Sequence, residues 1–219
     1  MDQPWPIRLT HWLNVVFLTL LVGSGLRIFN AHPTLYLGET SDPAEAVWSG
    51  GGFPTFLTVG GWLAGARRWH LALIWWFVVN GLCYVAFLVA SGEAKRRFFR
   101  PQDRHGVLPM VRYYLRLGPK PAYEGYNALQ KLTYTLLVLL GAPLLVLTGL
   151  ALSPAFDAHF PWYVALFGGR QSARTWHFAL MAGFVLFSVL HVGLVAAAGW
   201  PTLRAMLVGT QRSEGGRDA

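Results

Sequence analysis

Charged and apolar residues are segregated along this chain. Four long blocks are nearly free of charge, roughly Trp12–Phe29, His70–Ala90, Leu132–Leu152 and Thr175–Ala198. Each holds about 18 residues or more, enough to cross a hydrocarbon core about 30 Å thick. The pattern predicts an all-α membrane protein, a four-helix transmembrane bundle filling residues 1–204, with helices over about 8–29, 70–91, 127–152 and 173–198. The first block reads as a retained helix, because no A-x-A-like cleavage site follows it and Arg27 lies near its end. The connections differ in character. Residues 30–69 form a long outer loop, rich in Gly and Pro, with apolar pieces such as FPTFLTVGGWLAG; the second outer loop, FDAHFPWYVALFGG, is similar. Such segments suit an interfacial position with Trp at headgroup depth, a partner-docking surface, or both. Residues 91–126 form a basic loop, within which GVLPMVRYYLRLG reads as an interfacial helix, and 205–219 form a tail.

Composition supports this class. The chain of 219 residues is 54% hydrophobic and 13% charged, about half the charge of a soluble domain. Its formal net charge of +8 raises nucleic acid as a partner, but the placement of the charge argues for lipid. Lys95, Arg96, Arg97, Arg100, Arg104, Arg112, Arg116 and Lys120 lie between helices two and three, Arg8 precedes helix one, and Arg204, Arg212 and Arg217 follow helix four. The other two connections hold only Arg67, Arg68, Arg170 and Arg174. This asymmetry puts both termini and the basic loop in the cytoplasm, and EAKRRFFR then lies against anionic headgroups. With Cys83 as the sole cysteine, neither an intrachain disulfide nor a C-x-x-C-H site for covalent haem is available.

One internal echo stands out. Residues 67–73 and 174–180 both read R-x-W-H-x-A-L, and both open a helix entering from the outer face. Of seven histidines, His32, His105 and His159 fall between the apolar segments, whereas His11, His70, His177 and His191 sit on helices one, two and four. An ionisable residue inside a membrane helix marks a functional site by default. Depth sorts these four: His11 and His191 lie toward the inner face, His70 and His177 toward the outer one. His177 and His191 are fourteen positions apart, about 3.9 turns and about 21 Å, so both point from nearly one face of helix four.

Two imidazoles facing each other across a bundle hold a haem iron from both sides. A zinc or copper site wants three or four ligands at one point. No Asp or Glu lies in the four segments, which also counts against a proton-coupled transporter. The histidines therefore read as axial ligands of two b haems, iron held by His11 with His191 on the inner side and by His70 with His177 on the outer side. Six-coordinate iron leaves one-electron transfer as the chemistry. Arg8, Arg67, Arg68 and Arg174 stand where they would meet haem propionates or anchor the helix ends in the interface. Gly23, Gly25, Gly81, Gly183 and Gly193 suit either close approach of a macrocycle or small-residue helix packing.

These features resemble the bacterial di-haem cytochrome b-561 family, the membrane subunit type of formate dehydrogenases, nickel-iron hydrogenases and thiosulfate reductases. The likeness rests on RLTHWLN opening helix one, RRWHLALIWW opening helix two, YNALQKL opening helix three and the H-x13-H of helix four, and covers about Ile7 to Arg204. It implies two haem b and ubiquinone or menaquinone as exchangeable substrate. The quinone would sit at Asn127, Gln130 and Lys131, which offer donors at the inner mouth; helix capping and snorkelling explain the same residues. The long outer loop favours the version working with a periplasmic redox protein such as a molybdenum oxidoreductase. The expected function is electron transfer between the quinone pool and that partner, in the bacterial inner membrane, by a multi-pass chain with room for a homodimer. The alternatives are a self-contained quinone reductase oxidising a small external donor such as superoxide, and a haem-free transporter or scaffold.

Overall fold

The computed structural model describes residues 3–209; Arg212, Arg217 and the rest of the tail from residue 210 on lie outside the described residues. Helices dominate: α1 Trp5–Phe29, α2 Leu63–Ala90, α3 Arg104–Tyr114, α4 Ala128–Ala151, α5 Arg170–Ala198 and α6 Trp200–Leu207. Of these, α1, α2, α4 and α5 are long and apolar enough to span a membrane.

Local chemistry sets the ends. Asn127 caps α4, its side chain accepting from the Gln130 amide while the Gln130 side chain accepts from the Asn127 amide, a reciprocal capping box. Within α4, Leu136–Gly141 is a π-helical stretch that ends two residues before Pro143. Proline has no N–H and its ring crowds the carbonyl four residues back, so one widened turn lets the span continue. Helix α2 starts at Leu63, so Arg67, Arg68 and Trp69 belong to the helix and not to the preceding connection. Its start follows Gly60, whose φ of +101° and close approach to the Ala66 backbone suit only glycine.

The chain divides into two compact units, and each long helix contributes a part to both. Among the described residues, the first comprises 3–13, Gly81–Leu136 and 186–209. Here α3 packs on the start of α4, tied by Lys131 Nζ to Asp103 Oδ1 at 2.9 Å. Buried Arg97 donates to Glu93 and Gln3 and lies over the Tyr126 ring. The end of α6 is held by α1: Arg8 Nη1 donates to the Leu207 carbonyl at 2.9 Å and Trp12 Nε1 to the Met206 carbonyl at 3.1 Å.

The second unit comprises Asn14–Asn80 and Leu137–Val185. Leu21, Leu73 and Phe77 form one apolar cluster and Ala151, Val164 and Ala173 another, and Asn80 donates to Asn14 at 2.8 Å. The long connection is folded. Strands β1 Thr34–Leu35 and β2 Trp48–Ser49 pair antiparallel, Thr34 opposite Ser49. Asn30 brackets the backbone of Phe53 with two hydrogen bonds. Arg174 donates to the carbonyls of Thr34 and His32 and stacks over Phe29, which fastens this connection to α5.

Candidate functional site

Each unit contains one pair of histidines. In the first, His11 of α1 and His191 of α5 have ring centroids 6.1 Å apart, with planes at 65°. In the second, His70 of α2 and His177 of α5 are 6.3 Å apart, with planes at 68°. These are the pairs drawn from helix depth. Two metal–nitrogen bonds of about 2 Å and two imidazole half-widths of about 1 Å add to about 6 Å, so both spacings fit one iron between two rings. Among the described residues no three His, Cys, Asp or Glu side chains converge as a metal-binding group. The donor set at each place is two imidazole nitrogens, which suits a six-coordinate haem and falls short of tetrahedral zinc.

Neighbouring side chains hold the rings. Trp12 meets His11 edge-on at 5.4 Å, and Phe187, one turn before His191, stacks on it at 5.5 Å. The second pair has a more specific support. His70 Nδ1 lies 3.0 Å from Ser24 Oγ, and His177 Nδ1 lies 3.0 Å from Thr148 Oγ1. Each hydroxyl donates its proton to a carbonyl one turn back, Ser24 to Leu20 and Thr148 to Leu144, both at 2.8 Å. Each hydroxyl oxygen is then the acceptor toward the ring, so Nδ1 carries the proton and Nε2 keeps the lone pair that a metal needs. The residue after each hydroxyl is a glycine against the ring. A methyl at Gly25 would stand 3.5 Å from His70 Cε1, and one at Gly149 would stand 3.2 Å from His177 Cε1.

Ser24 and Thr148 are absent from the sequence reading, yet they carry a signal. Ser24-Gly25-Leu26 on α1 and Thr148-Gly149-Leu150 on α4 are a short echo facing the R-x-W-H-x-A-L echo of α2 and α5. Three residues are too few to find without knowing which helices face each other.

The arginines divide. Arg67 and Arg68 are exposed on α2. Arg8, one turn before His11, holds the end of α6, and its buried Nε has no hydrogen-bond partner among the described residues. Arg174, three residues before His177, has both terminal nitrogens engaged by the connection that follows α1.

Of the three residues at the mouth of α4, Asn127 and Gln130 make the capping box. Asn127 is 1% exposed, and its Nδ2 has no hydrogen-bond partner among the described residues. Lys131 lines a cavity of about 250 Å³ together with Asp103, Met110, Tyr123 and Tyr126. Burial alone would raise the Asp103 carboxyl, but its hydrogen bond and charge pairing with Lys131 outweigh this and hold it below the ordinary carboxylate value.

Comparison with known proteins identifies the family. No solved structure matches the chain. A candidate protein-methionine-sulfoxide reductase subunit, YedZ1, of Azospira oryzae is 36% identical over 213 residues, covering 95% of this chain and 96% of its own. A candidate Ni/Fe-hydrogenase B-type cytochrome subunit of Azotobacter chroococcum is 30% identical, covering 87% and 78%, and one of Cupriavidus necator is 25% identical, covering 85% and 75%. The model of the prokaryotic cytochrome b561 family matches residues 2–209. The chain thus belongs to the prokaryotic cytochrome b561 family, membrane b-type cytochromes that carry electrons.

Proposed function

We propose that this protein holds two haem b, one between His11 and His191 and one between His70 and His177, and carries electrons across the bacterial inner membrane between quinone and a periplasmic redox enzyme. The observation that carries this reading is the pair of matched imidazole spacings, 6.1 and 6.3 Å. Bound haem would supply reversible one-electron chemistry, and with an imidazole from each partner helix holding the iron, His11 with His191 and His70 with His177, electron transfer is the chemistry these residues would support. The chain's own residues position the rings.

Quinone exchanges electrons on the side of the termini, at the mouth of α4. In support, Lys131 lines a cavity of about 250 Å³, and the neighbouring cap residue Asn127, outside that lining, holds a buried Nδ2 donor without an acceptor among the described residues. Arg8, Arg67 and Arg68 keep donors for haem propionates. The partner docks on the folded connection between α1 and α2. The YedZ1 relative, matched over nearly the full length of both chains, favours a reductase of protein methionine sulfoxide, of the molybdenum class expected from the sequence, over a hydrogenase. Reduction of one sulfoxide to thioether and water takes two electrons and two protons, the yield of one quinol.

The test is a set of four single substitutions read by redox difference spectroscopy. His11→Ala and His191→Ala should each deplete one haem, and His70→Ala and His177→Ala the other. Depletion of the same haem by His11→Ala and His70→Ala contradicts the pairing.

A further inference from the structure

We propose that Ser24 and Thr148 are positioning residues that set the reduction potential of the haem between His70 and His177. The proposal rests on the reading of those two histidines as axial ligands. Its argument is the matched geometry on both sides of one site. Each ring presents Nδ1 to a hydroxyl at 3.0 Å, and each hydroxyl passes its proton to a carbonyl of its own helix at 2.8 Å. Both hydroxyl residues are buried, Ser24 0% and Thr148 2% exposed, so solvent does not compete for either ring proton.

Three consequences follow for the ligand. The tautomer is fixed with Nε2 available for iron. The ring cannot turn about its Cβ–Cγ bond without breaking the bond to oxygen, and the glycine beside it lets the ring lie close to the facing helix. Donation from Nδ1–H raises the basicity of Nε2, and the hydroxyl's own donation to carbonyl polarises the chain further. A more basic ligand nitrogen would favour ferric over ferrous iron, so each hydroxyl would lower the potential of this haem beyond what the Leu21 and Leu145 carbonyls, which also interact with the two rings, do alone. Ordinary hydroxyl back-bonding within a helix accounts for the bonds to Leu20 and Leu144 but not for two rings meeting two hydroxyls at the same distance.

The test uses the full chain with both haems in detergent, read by potentiometric titration of the α band and by the low-spin ferric EPR signals. Ser24→Ala and Thr148→Val should each keep two haems and raise one midpoint only. The expected size is up to a tenfold change in the ferric-to-ferrous ratio per hydroxyl, about 59 mV for a one-electron couple. Thr148→Ser, which keeps the hydroxyl and drops the methyl, should leave the midpoint in place. Both midpoints and both EPR signals unmoved in Ser24→Ala and Thr148→Val would overturn the proposal, as would a shift in Thr148→Ser equal to that in Thr148→Val. Failure of the ligand reading shows separately, as His177→Ala retaining both haems.

Discussion

A methyl group placed at Gly149 would stand 3.2 Å from Cε1 of His177 and 3.6 Å from its Nδ1. Carbon atoms prefer about 3.5–4.0 Å, so the ring must yield by a few tenths of an ångström. It has little room to do so, because Nδ1 is held by Thr148 at 3.0 Å and the proposed ligand role would keep Nε2 on the iron. Overpacking of this kind costs about 1–3 kcal/mol. The same substitution at Gly25 places the methyl 3.5 Å from His70 Cε1 and 3.8 Å from Nδ1, ordinary contact that costs little. Both glycines lie within helices, so the gain of about 1 kcal/mol from replacing Gly by Ala applies equally and cancels in the comparison. Gly149→Ala should therefore hold the haem of the proposed His70/His177 site about 5-fold to 150-fold more weakly than Gly25→Ala does. The assay is transfer of haem to excess apomyoglobin, followed at the Soret band, with the lost haem identified by its midpoint. Equal loss in the two variants, or loss from the His11/His191 site, would refute the reasoning.

Other outcomes are equally specific. Replacing Asn127 and Lys131 together with Leu should slow haem reduction by quinol while the haem content stays at the wild-type value; unaltered kinetics would move the quinone elsewhere. Gly60→Ala forces a side chain into a φ of +101° with its Cβ 2.5 Å from Ala66 Cα, and should lower thermal stability by about 1–3 kcal/mol, read by unfolding in detergent. Asp103 has a depressed carboxyl value when folded, so its contribution is complete above the ordinary carboxylate range near about 4 and is lost as pH falls through the folded value. The stability difference between wild type and Asp103→Asn should be flat between about pH 5 and 8 and close below about pH 4; a gap that widens on acidification would show the sign to be wrong.

The four spans were legible because lipid demands about twenty predominantly apolar residues in a row, a signal that amphipathic surface helices of soluble proteins do not give. The histidine pairs were legible for a related reason. Topology assigns each residue a depth, and His11 with His191 and His70 with His177 match in depth without any knowledge of packing. What escaped was lateral: Ser24 and Thr148 look like ordinary polar residues in apolar helices until α1 is known to face His70 and α4 to face His177. The start of α2 escaped too. Arg67 and Arg68 break the apolar run, so the charge pattern ends the span there, whereas the backbone stays helical back to Leu63. For Asn127 and Gln130 the capping reading and the donor reading both had grounds. The structure shows the cap, and it leaves the Asn127 Nδ2 without a partner among the described residues.

The central claim is two non-covalent haems on four histidines. The most direct measurement is the pyridine haemochrome spectrum of the purified chain, quantified against protein, before and after acid-acetone extraction. The account predicts a b-type spectrum, two haems per chain, and none left on the protein after extraction. One haem per chain, or haem that resists extraction, would contradict it.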